Sequence, residues 1–593
     1  GDLRMQNPYW IAYRNLRLNN KKRYMASAGL SYQILDWLNV AGRVRIDNTH
    51  SEYEGKLYAS SSNTLTDGSS QGHYTVNNGQ YSQTYADVLV NINKRIQDFT
   101  IVANIGASYS GVTSKELGYA GPIRETGIPN LFNVYDLDNA KKRATQVGWR
   151  EATESIFASA EVGWKSMLYL TVTGRNDWAS QLTHSPQASF FYPSVGLSAV
   201  ITEMLKLPDW VDYLKVRGSF SSVGNPYPRF LTYPTYSYDA NKQDWKSQTN
   251  YPIGKLYPER TDSWEVGLDA TLFKDFKLSG SFYYANTYNQ TFDPRLPVSS
   301  GYDKLYVQTG YVRNYGFEAM LSYGHRWGDF SWDSSFTFSA NKNEIVELVK
   351  DYVHPETGKT YNVDKLELKT DEGRGFGKAK FILKEGGTLG DLYTHADLKR
   401  DINGNVLIDD SGNVTAIDNA GDIKLGSVLP KANLAWNNSF SYKGINAGFL
   451  LTARLGGIVY SATQAYLDLY GVSETSAAAR DAGGVWINGR SRVNPQSFYE
   501  VVASQSGLPT YYTYSATNLR LQEAHIGYTV PRRWLGNVCD INVSLVGRNL
   551  WMIYCKAPFD PEAVATTNNY YQGIDYFMMP STRNIGFNIK INF

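Results

Sequence analysis

The stretch 581–593, STRNIGFNIKINF, constrains the fold more than any other part of the chain. Ile585, Phe587, Ile589, Ile591 and Phe593 alternate with Asn584, Gly586, Asn588, Lys590 and Asn592. An unbroken period of two gives a strand with one apolar and one polar face. A long exposed apolar edge recruits other chains, so soluble domains avoid it. A closed barrel removes the problem. The last strand pairs with the first, the apolar face meets lipid, and the polar face lines a wet lumen. A soluble sandwich with a covered C-terminal strand is the competing arrangement.

The alternation recurs along the chain. Leu38, Val40, Gly42, Val44 and Ile46 oppose Asn39, Arg43, Arg45 and Asp47. Leu168, Leu170 and Val172 oppose Tyr169, Thr171, Thr173 and Arg175. Leu214, Val216 and Phe220 oppose Lys215, Arg217, Ser219 and Ser221. Trp264, Val266, Leu268, Ala270 and Leu272 oppose Glu265, Asp269 and Thr271. Two further sets run 276–284 and 330–338. Charges at alternate positions suit a hydrated lumen better than a dry sandwich core, where each would need a partner.

Composition agrees with this pattern. Mean hydropathy is -0.40, and no apolar run approaches the roughly 20 residues of a membrane helix. Barrel strands turn only half their residues outward, so low mean hydropathy is compatible with a membrane barrel. The 45 Tyr and 14 Trp residues could supply interfacial aromatic girdles. Net charge is +2, which gives no support to nucleic-acid binding. Cys539 and Cys555 flank a single predicted strand, roughly 50 Å apart at about 3.3 Å per residue, too far for a disulfide. The chain opens on Gly1 with no visible signal peptide. An exported protein needs one, so processing or an upstream part of the product is expected.

Connections alternate in length. Short ones fall at Lys274–Asp275, Trp327–Asp329 and Lys443–Gly444. Long ones are expected over Asn48 to Gly79, Gly111 to Gln146, Asn225 to Thr261, Asn341 to Gly375 and Gly457 to Ala516. Short periplasmic turns and long external loops are the rhythm of outer-membrane barrels. About eighteen strands are predicted in all. Two segments break the rhythm. The stretch 201–213 fits one helical turn, and 464–482 fits a short loop helix capped by Ser473 or Thr475.

Several stretches resemble the C-terminal part of the SusC/RagA family of TonB-dependent outer-membrane transporters. They are LTVTGRNDWAS (170–180), FYPSVGLSAVITE (191–203), YLKVRGSFSSVGN (213–225), PERTDSWEVGLDATLF (258–273) and NYGFEAMLSY (314–323). LRLQEAHIGYTVP (519–531), GRNLWMIY (547–554), FDPEAV (559–564) and the terminal strand close the series. Their order and spacing extend the resemblance over nearly the whole chain.

The resemblance implies an all-β, transmembrane antiparallel β-barrel of 22 strands, of which 1–593 would be the C-terminal barrel part. It implies a plug domain and a TonB box upstream, not present before Gly1, and further strands to complete the wall. The implied activity is TonB-dependent import of an oligosaccharide or peptide across the bacterial outer membrane. A SusD-like surface lipoprotein would act as lid, in an assembly of two transporter–lipoprotein pairs. The alternatives are a lidless siderophore or cobalamin transporter and a secreted β-rich glycan-binding protein. No enzyme activity and no cofactor are expected.

Candidate chemistry is sparse. DINGNVLIDDSGNV (401–414) gathers Asp401, Asn403, Asn405, Asp409 and Asp410. Oxygen ligands at alternate positions begin a calcium loop, but Gly404 stands at the fourth position rather than the sixth and no Glu occupies the twelfth. A solvated Asx turn is the simpler reading. Glu265 and Asp269 belong to a lumen-facing row, where ionised carboxylates are at home. Arg175, Asp177, Arg217 and Arg548 are also expected to point inward. His395 and His525 lack metal-ligand spacing. The candidate contacts to substrate or lid are loop aromatics: Tyr236, Tyr238, Trp245, Tyr511, Tyr512, Tyr570 and Tyr571. Such rings stack on sugars or pack on peptide side chains. Packing of loop against loop is the plain alternative.

Overall fold

In the computed structural model, alternating segments assemble into one antiparallel sheet of 17 strands. The structure describes residues 7–231, 237–239, 244–246, 256–292, 307–353, 358, 360–368, 377–565 and 572–592. The strands are β1 (Asn15–Leu35), β2 (Leu38–Tyr58), β3 (Gly72–Ile96), β4 (Phe99–Pro122), β5 (Arg143–Trp164) and β6 (Leu168–Ala179). They continue with β7 (Phe190–Val200), β8 (Val211–Asn225), β9 (Glu259–Leu272), β10 (Phe276–Phe292), β11 (Val307–Trp327) and β12 (Phe330–Glu347). The last are β13 (Ala432–Tyr442), β14 (Ile445–Leu455), β15 (Asn518–Val530), β16 (Asp540–Cys555) and β17 (Asn584–Asn592). Each pairs with its neighbours in sequence, so the sheet is a continuous meander. No helix among the described residues is long and apolar enough to cross a membrane.

Period-two alternation and register together sort residues into transverse rows. One row runs Leu214–Ala270–Leu278–Leu321–Phe336–Trp436–Leu451–Leu521–Trp551 from β8 to β16 without a polar member. Leu321, Phe336, Trp436 and Trp551 are exposed, as are Val266, Leu545 and Phe587 elsewhere on the sheet. An apolar belt of this extent has lipid as its natural solvent. Near the short turns an aromatic chain follows the rim. Trp210 stacks on Phe273 at 5.6 Å, Phe276 meets Tyr323 at 4.7 Å, and Tyr323 meets Trp332 at 5.2 Å. The turn at Lys443–Gly444 has positive φ at both residues, the geometry that matches strand twist in a two-residue hairpin. A Cβ on Gly444 would lie 2.9 Å from the Thr529 carbonyl.

Three expectations need correction. Among the described residues β17 pairs only with β16 and β1 only with β2, so the last strand does not pair with the first. Second, much of the chain expected in long loops is strand. β3 has 25 residues and β4 has 24, whereas crossing a bilayer takes about 9–11. On β2 the outward positions change from Val40, Val44 and Ile46 to Asn48, His50, Glu52 and Glu54. The wall therefore continues past the apolar belt, and alternation of polar residues alone does not announce a strand in sequence. Third, 464–482 holds two helices rather than one, Ala462–Leu469 and Glu474–Asp481, separated by a turn. Ser473 caps the second by accepting from the Ser476 amide. The predicted single turn is found at Ile201–Met204.

The packed core lies outside the sheet. Segments 348–431, 456–517 and 556–583 share one cluster that includes Phe381, Leu392, Tyr460, Phe498, Tyr512 and Ile574. The strand Ile458–Ser461 stitches them, pairing antiparallel with Thr513–Ser515 and parallel with Ile574–Asp575. A second cluster, with Leu182, Phe190, Tyr227, Leu256, Ile345 and Leu383, ties the β6–β7 and β8–β9 connections to it through segment 348–431. Long loops thus form a cap with its own hydrophobic interior.

Candidate functional site

The face opposite the apolar belt carries ordered charge. Arg23 pairs with Asp47 at 2.5 Å and Arg43 with Asp87 at 3.0 Å. Arg175 reaches Asp177 at 2.6 Å and Ser155 at 2.8 Å, and the Tyr192 hydroxyl donates to the same Asp177. Arg217 holds Asp269 at 2.6 Å and lies 3.6 Å from Glu265. Arg548 pairs with Glu523 at 3.0 Å. Several of the inward charges read from sequence are therefore paired, Arg43, Arg217 and Arg548 across neighbouring strands and Arg175 with Asp177 along one strand. Pairing keeps a wet wall charged without leaving single ions beside low-dielectric protein.

A cavity of about 830 Å³ lies on this wall, lined among others by Arg217, Glu318, Asn433, Arg454, Asn518 and Gln522. Gln522 reaches it through a bulge. Leu521 and Glu523 keep partners on both β14 and β16, and Gln522 between them is skipped. Bulges re-aim side chains in this way.

At the mouth, Arg520 on β15 binds Asp560 at 2.8 Å and Glu562 at 3.1 Å. Asn549 also faces Arg520, and Ser581 donates to Asp560 at 2.5 Å. Three separate sequence motifs, at 519–531, 547–554 and 559–564, thus meet at one buried guanidinium. Burial opposes the ionisation of Asp560, but hydrogen bonds from Arg520 and Ser581 outweigh it and hold its carboxyl below the usual range.

The predicted contact residues separate into distinct environments. Tyr236, Tyr570 and Tyr571 lie outside the described residues. Tyr238 and Trp245 face each other across a small hairpin, with ring centroids 5.3 Å apart, and are 52% and 64% exposed. Tyr511 is half-buried and packs edge-on to Phe498 at 6.0 Å. Tyr512 is only 2% exposed, and its hydroxyl donates to the buried Asp468 at 3.0 Å. It is a core residue of the cap, not a surface contact. Local sequence shows only a tyrosine-rich loop, and burial depends on helix Ala462–Leu469 lying against it.

The loop 401–414 forms two successive turns. Asp401 accepts from the amides of Asn403 and Asn405, and Asp409 from those of Ser411 and Asn413. The repeated pattern Asp-x-Asn/Ser-Gly-Asn-Val was visible in the sequence at an eight-residue spacing. Each carboxylate is thereby committed to its own turn.

Residues 2–550 match the family model described as "TonB dependent receptor-like, beta-barrel". The chain belongs to this family. The relatives of this receptor barrel include TonB-dependent receptor P3 of Formosa agariphila, 23% identical over 99% of the chain and 60% of that protein. TonB-dependent receptor SusC of Bacteroides thetaiotaomicron is 24% identical over 67% of the chain and 40% of that protein. Among solved structures, that of the RagAB peptide transporter superposes with a TM-score of 0.74 at 16% identity, covering 99% of this chain and 63% of that one. The SusC/RagA resemblance read from the motifs is thus shared by sequence and fold. The receptor barrel spans about 60% of the length of the relative P3. The family is one of receptors and transporters rather than enzymes.

Proposed function

We propose that this chain forms the barrel wall of a TonB-dependent importer in the bacterial outer membrane. The observation that carries the reading is the two-faced sheet: an apolar row from β8 to β16 on one side and paired charges around a cavity on the other. Lipid on one face and a wet conduit on the other account for both. Among the described residues β1 and β17 each pair on one side only, which in lipid would leave unsatisfied backbone groups at several kcal/mol apiece; in this reading further strands complete the wall.

In this reading the cargo is an oligosaccharide or peptide. A SusD-like surface lipoprotein closes over the cap, in an assembly of two transporter–lipoprotein pairs. TonB acts through a plug that the wall surrounds, and transport involves no covalent chemistry. Tyr238 and Trp245, with Tyr236, Tyr511, Tyr570 and Tyr571, supply contacts to cargo or lid. Support comes from the SusC-like motifs and the RagAB-like fold.

The test is extraction from outer membranes in mild detergent, with mass analysis of what accompanies the chain. A surface lipoprotein in equal amount, with nutrient uptake lost when TonB is deleted, is the expected result. A chain recovered without detergent would overturn the membrane assignment.

A further inference from the structure

Three cavities follow one another along the outer face of β2–β5, counted away from the short turns. The first, about 520 Å³, is lined among others by Val44, Val88, Ala107, Ile156 and Trp178. The second, about 320 Å³, is lined by Ser82, Thr84, Gly111, Thr113 and Arg150 among others. The third, about 690 Å³, includes His50, Gln80, Lys115 and Gly148. They occupy successive register rows. From Gly42–Val88–Ala107–Ile156, every second residue leads through Ile46–Thr84–Gly111–Ala152 and Asn48–Ser82–Thr113–Arg150 to His50–Gln80–Lys115–Gly148. Val44, Val88, Tyr109, Ile156 and Trp178 are exposed, so this is the face that carries apolar residues to lipid.

The lane changes character along its length. Its foot is apolar, its middle carries hydroxyls, and its top is basic. Ala86, Ala107, Gly111 and Gly148 keep it open. A Cβ on Gly111 would lie 2.6 Å from the Tyr109 hydroxyl, so glycine there lets the Tyr109 ring lie along β4. Tyr109 lines both the first and the second cavity and joins them. At the top, Arg150 and Lys115 are exposed and belong to no ion pair among the described residues. Arg150 lies opposite Thr113, two residues before Lys115 on β4. Such diagonal neighbours are about 7–8 Å apart, a gap that two long cationic side chains close over one anion. The nearby carboxylates are directed elsewhere. Glu52 meets His50 at 3.3 Å. Glu116 and Glu151 alternate onto the opposite face, where Arg229 pairs with Glu151. Glu154, which lines the first cavity, stands four residues from Arg150 along β5, roughly 13 Å at about 3.3 Å per residue.

The length of the lane fits one leaflet. The outward apolar positions of β2 run from Leu38 to Ile46 with Gly42 at their centre. The row of Arg150 is six residues beyond that centre, roughly 20 Å along the strand. On a strand tilted about 45° this is roughly 14 Å of depth, close to half of the ~30 Å hydrocarbon core. The lane therefore runs from mid-bilayer to the level of the head groups on the side of the cap. β1 separates it from the open edge of the sheet, so strands added at that edge would leave it facing lipid.

We infer that this lane binds a phosphate-bearing membrane lipid, its phosphate between Arg150 and Lys115 and an acyl chain along Ala86 and Ala107. Two features select a lipid as occupant. The foot is continuous with the lipid-facing belt, and the top carries the charge opposite to phosphate. The inference rests on the assignment of faces in the proposed function and adds a bound lipid to it.

The test uses the full-length receptor extracted from outer membranes in mild detergent, with whatever copurifies. Native mass spectrometry would titrate phosphorylated lipid A and the same lipid stripped of its phosphates, with inorganic phosphate as competitor. The phosphorylated lipid is expected to bind, and loss of its phosphates to weaken binding about tenfold or more. That comparison needs no variant. Arg150→Gln with Lys115→Gln should abolish the difference between the two lipids. Ala107→Trp, which fills the foot of the lane, should weaken both. Equal binding of the two lipids to the unaltered receptor overturns the site, and so does unchanged discrimination in the double variant. Displacement of the lipid by inorganic phosphate would make this a free-anion site and also overturns it. So does a dimer without lipid that Ala107→Trp dissociates, which would seat a second copy on this face. Uptake that still depends on TonB in those cases leaves the importer reading standing and removes only the lipid site.

Discussion

Arg520 and Asp560 are 40 residues apart in sequence and 2.8 Å apart in space. The Arg520 side chain is 5% exposed and that of Asp560 10%. The pair anchors segment 556–583, whose Ile574–Asp575 strand joins the cap core. Asp575 accepts from Ser461 and Thr463 at the start of helix Ala462–Leu469. A guanidinium on the barrel wall is thus connected, through one loop, to the middle of the cap.

Asp560→Asn should loosen that connection. Removing one partner of a buried pair costs up to about 3–5 kcal/mol where the other charge is left uncompensated, and the cost here is smaller because Arg520 keeps Glu562 at 3.1 Å. Hydrogen exchange at 574–575 should accelerate, while β8–β12 amides stay protected. Unchanged exchange at 574–575 would show that the cap does not depend on the clamp.

The same pair predicts an acid limit. The folded carboxyl of Asp560 lies below its ordinary value, so its contribution is complete above the unfolded value of about 4 and is lost as pH falls through the folded value. Exchange at 574–575 should therefore be flat from pH 7 down to about 4, after correction for intrinsic rates, and rise below that. In Asp560→Asn this acid step should vanish.

Tyr512→Phe removes a donor from buried Asp468, which keeps Gln464 at 3.0 Å and the Ser473 hydroxyl. The expected cost is about 1–3 kcal/mol, the price of an unsatisfied buried group. Limited proteolysis within 462–512 should report it. Burial pushes the Tyr512 phenol well above its usual value, and Asp468 reinforces the effect, so the contact should persist to strongly alkaline pH.

Charge on the outer face should be far less tolerated than on the inner face. Phe336→Arg, in the apolar row, is expected to cost about 2–4 kcal/mol near mid-bilayer and to reduce assembled receptor in outer membranes. Thr337→Asp, one residue on and turned to the cavity, should assemble normally. Equal assembly of the two variants would contradict the assignment of faces.

Calcium should not alter the loop 401–414. Asp401 and Asp409 already accept amide hydrogen bonds at 2.8–2.9 Å. A chelator is expected to leave protease susceptibility around Asp410 unchanged, whereas Asp401→Ala should raise it.

The sequence by itself determined the strands and their two faces. Alternation is a property of adjacent residues, and Val44, Leu170, Val266 and Phe587 turn outward as the pattern requires. It also carried the family, because the motifs at 170–180, 258–273 and 519–531 are contiguous. Only the tertiary structure decided what those motifs do together. Arg520 meets Asp560 because β15 and β16 are paired and the loop after β16 folds back. Tyr512 is buried because helix Ala462–Leu469 lies over it. Glu318 and Arg454 share a row because four strands keep a common register. These contacts join residues far apart along the chain, and a local pattern of period two carries no information about which distant loop closes over which wall.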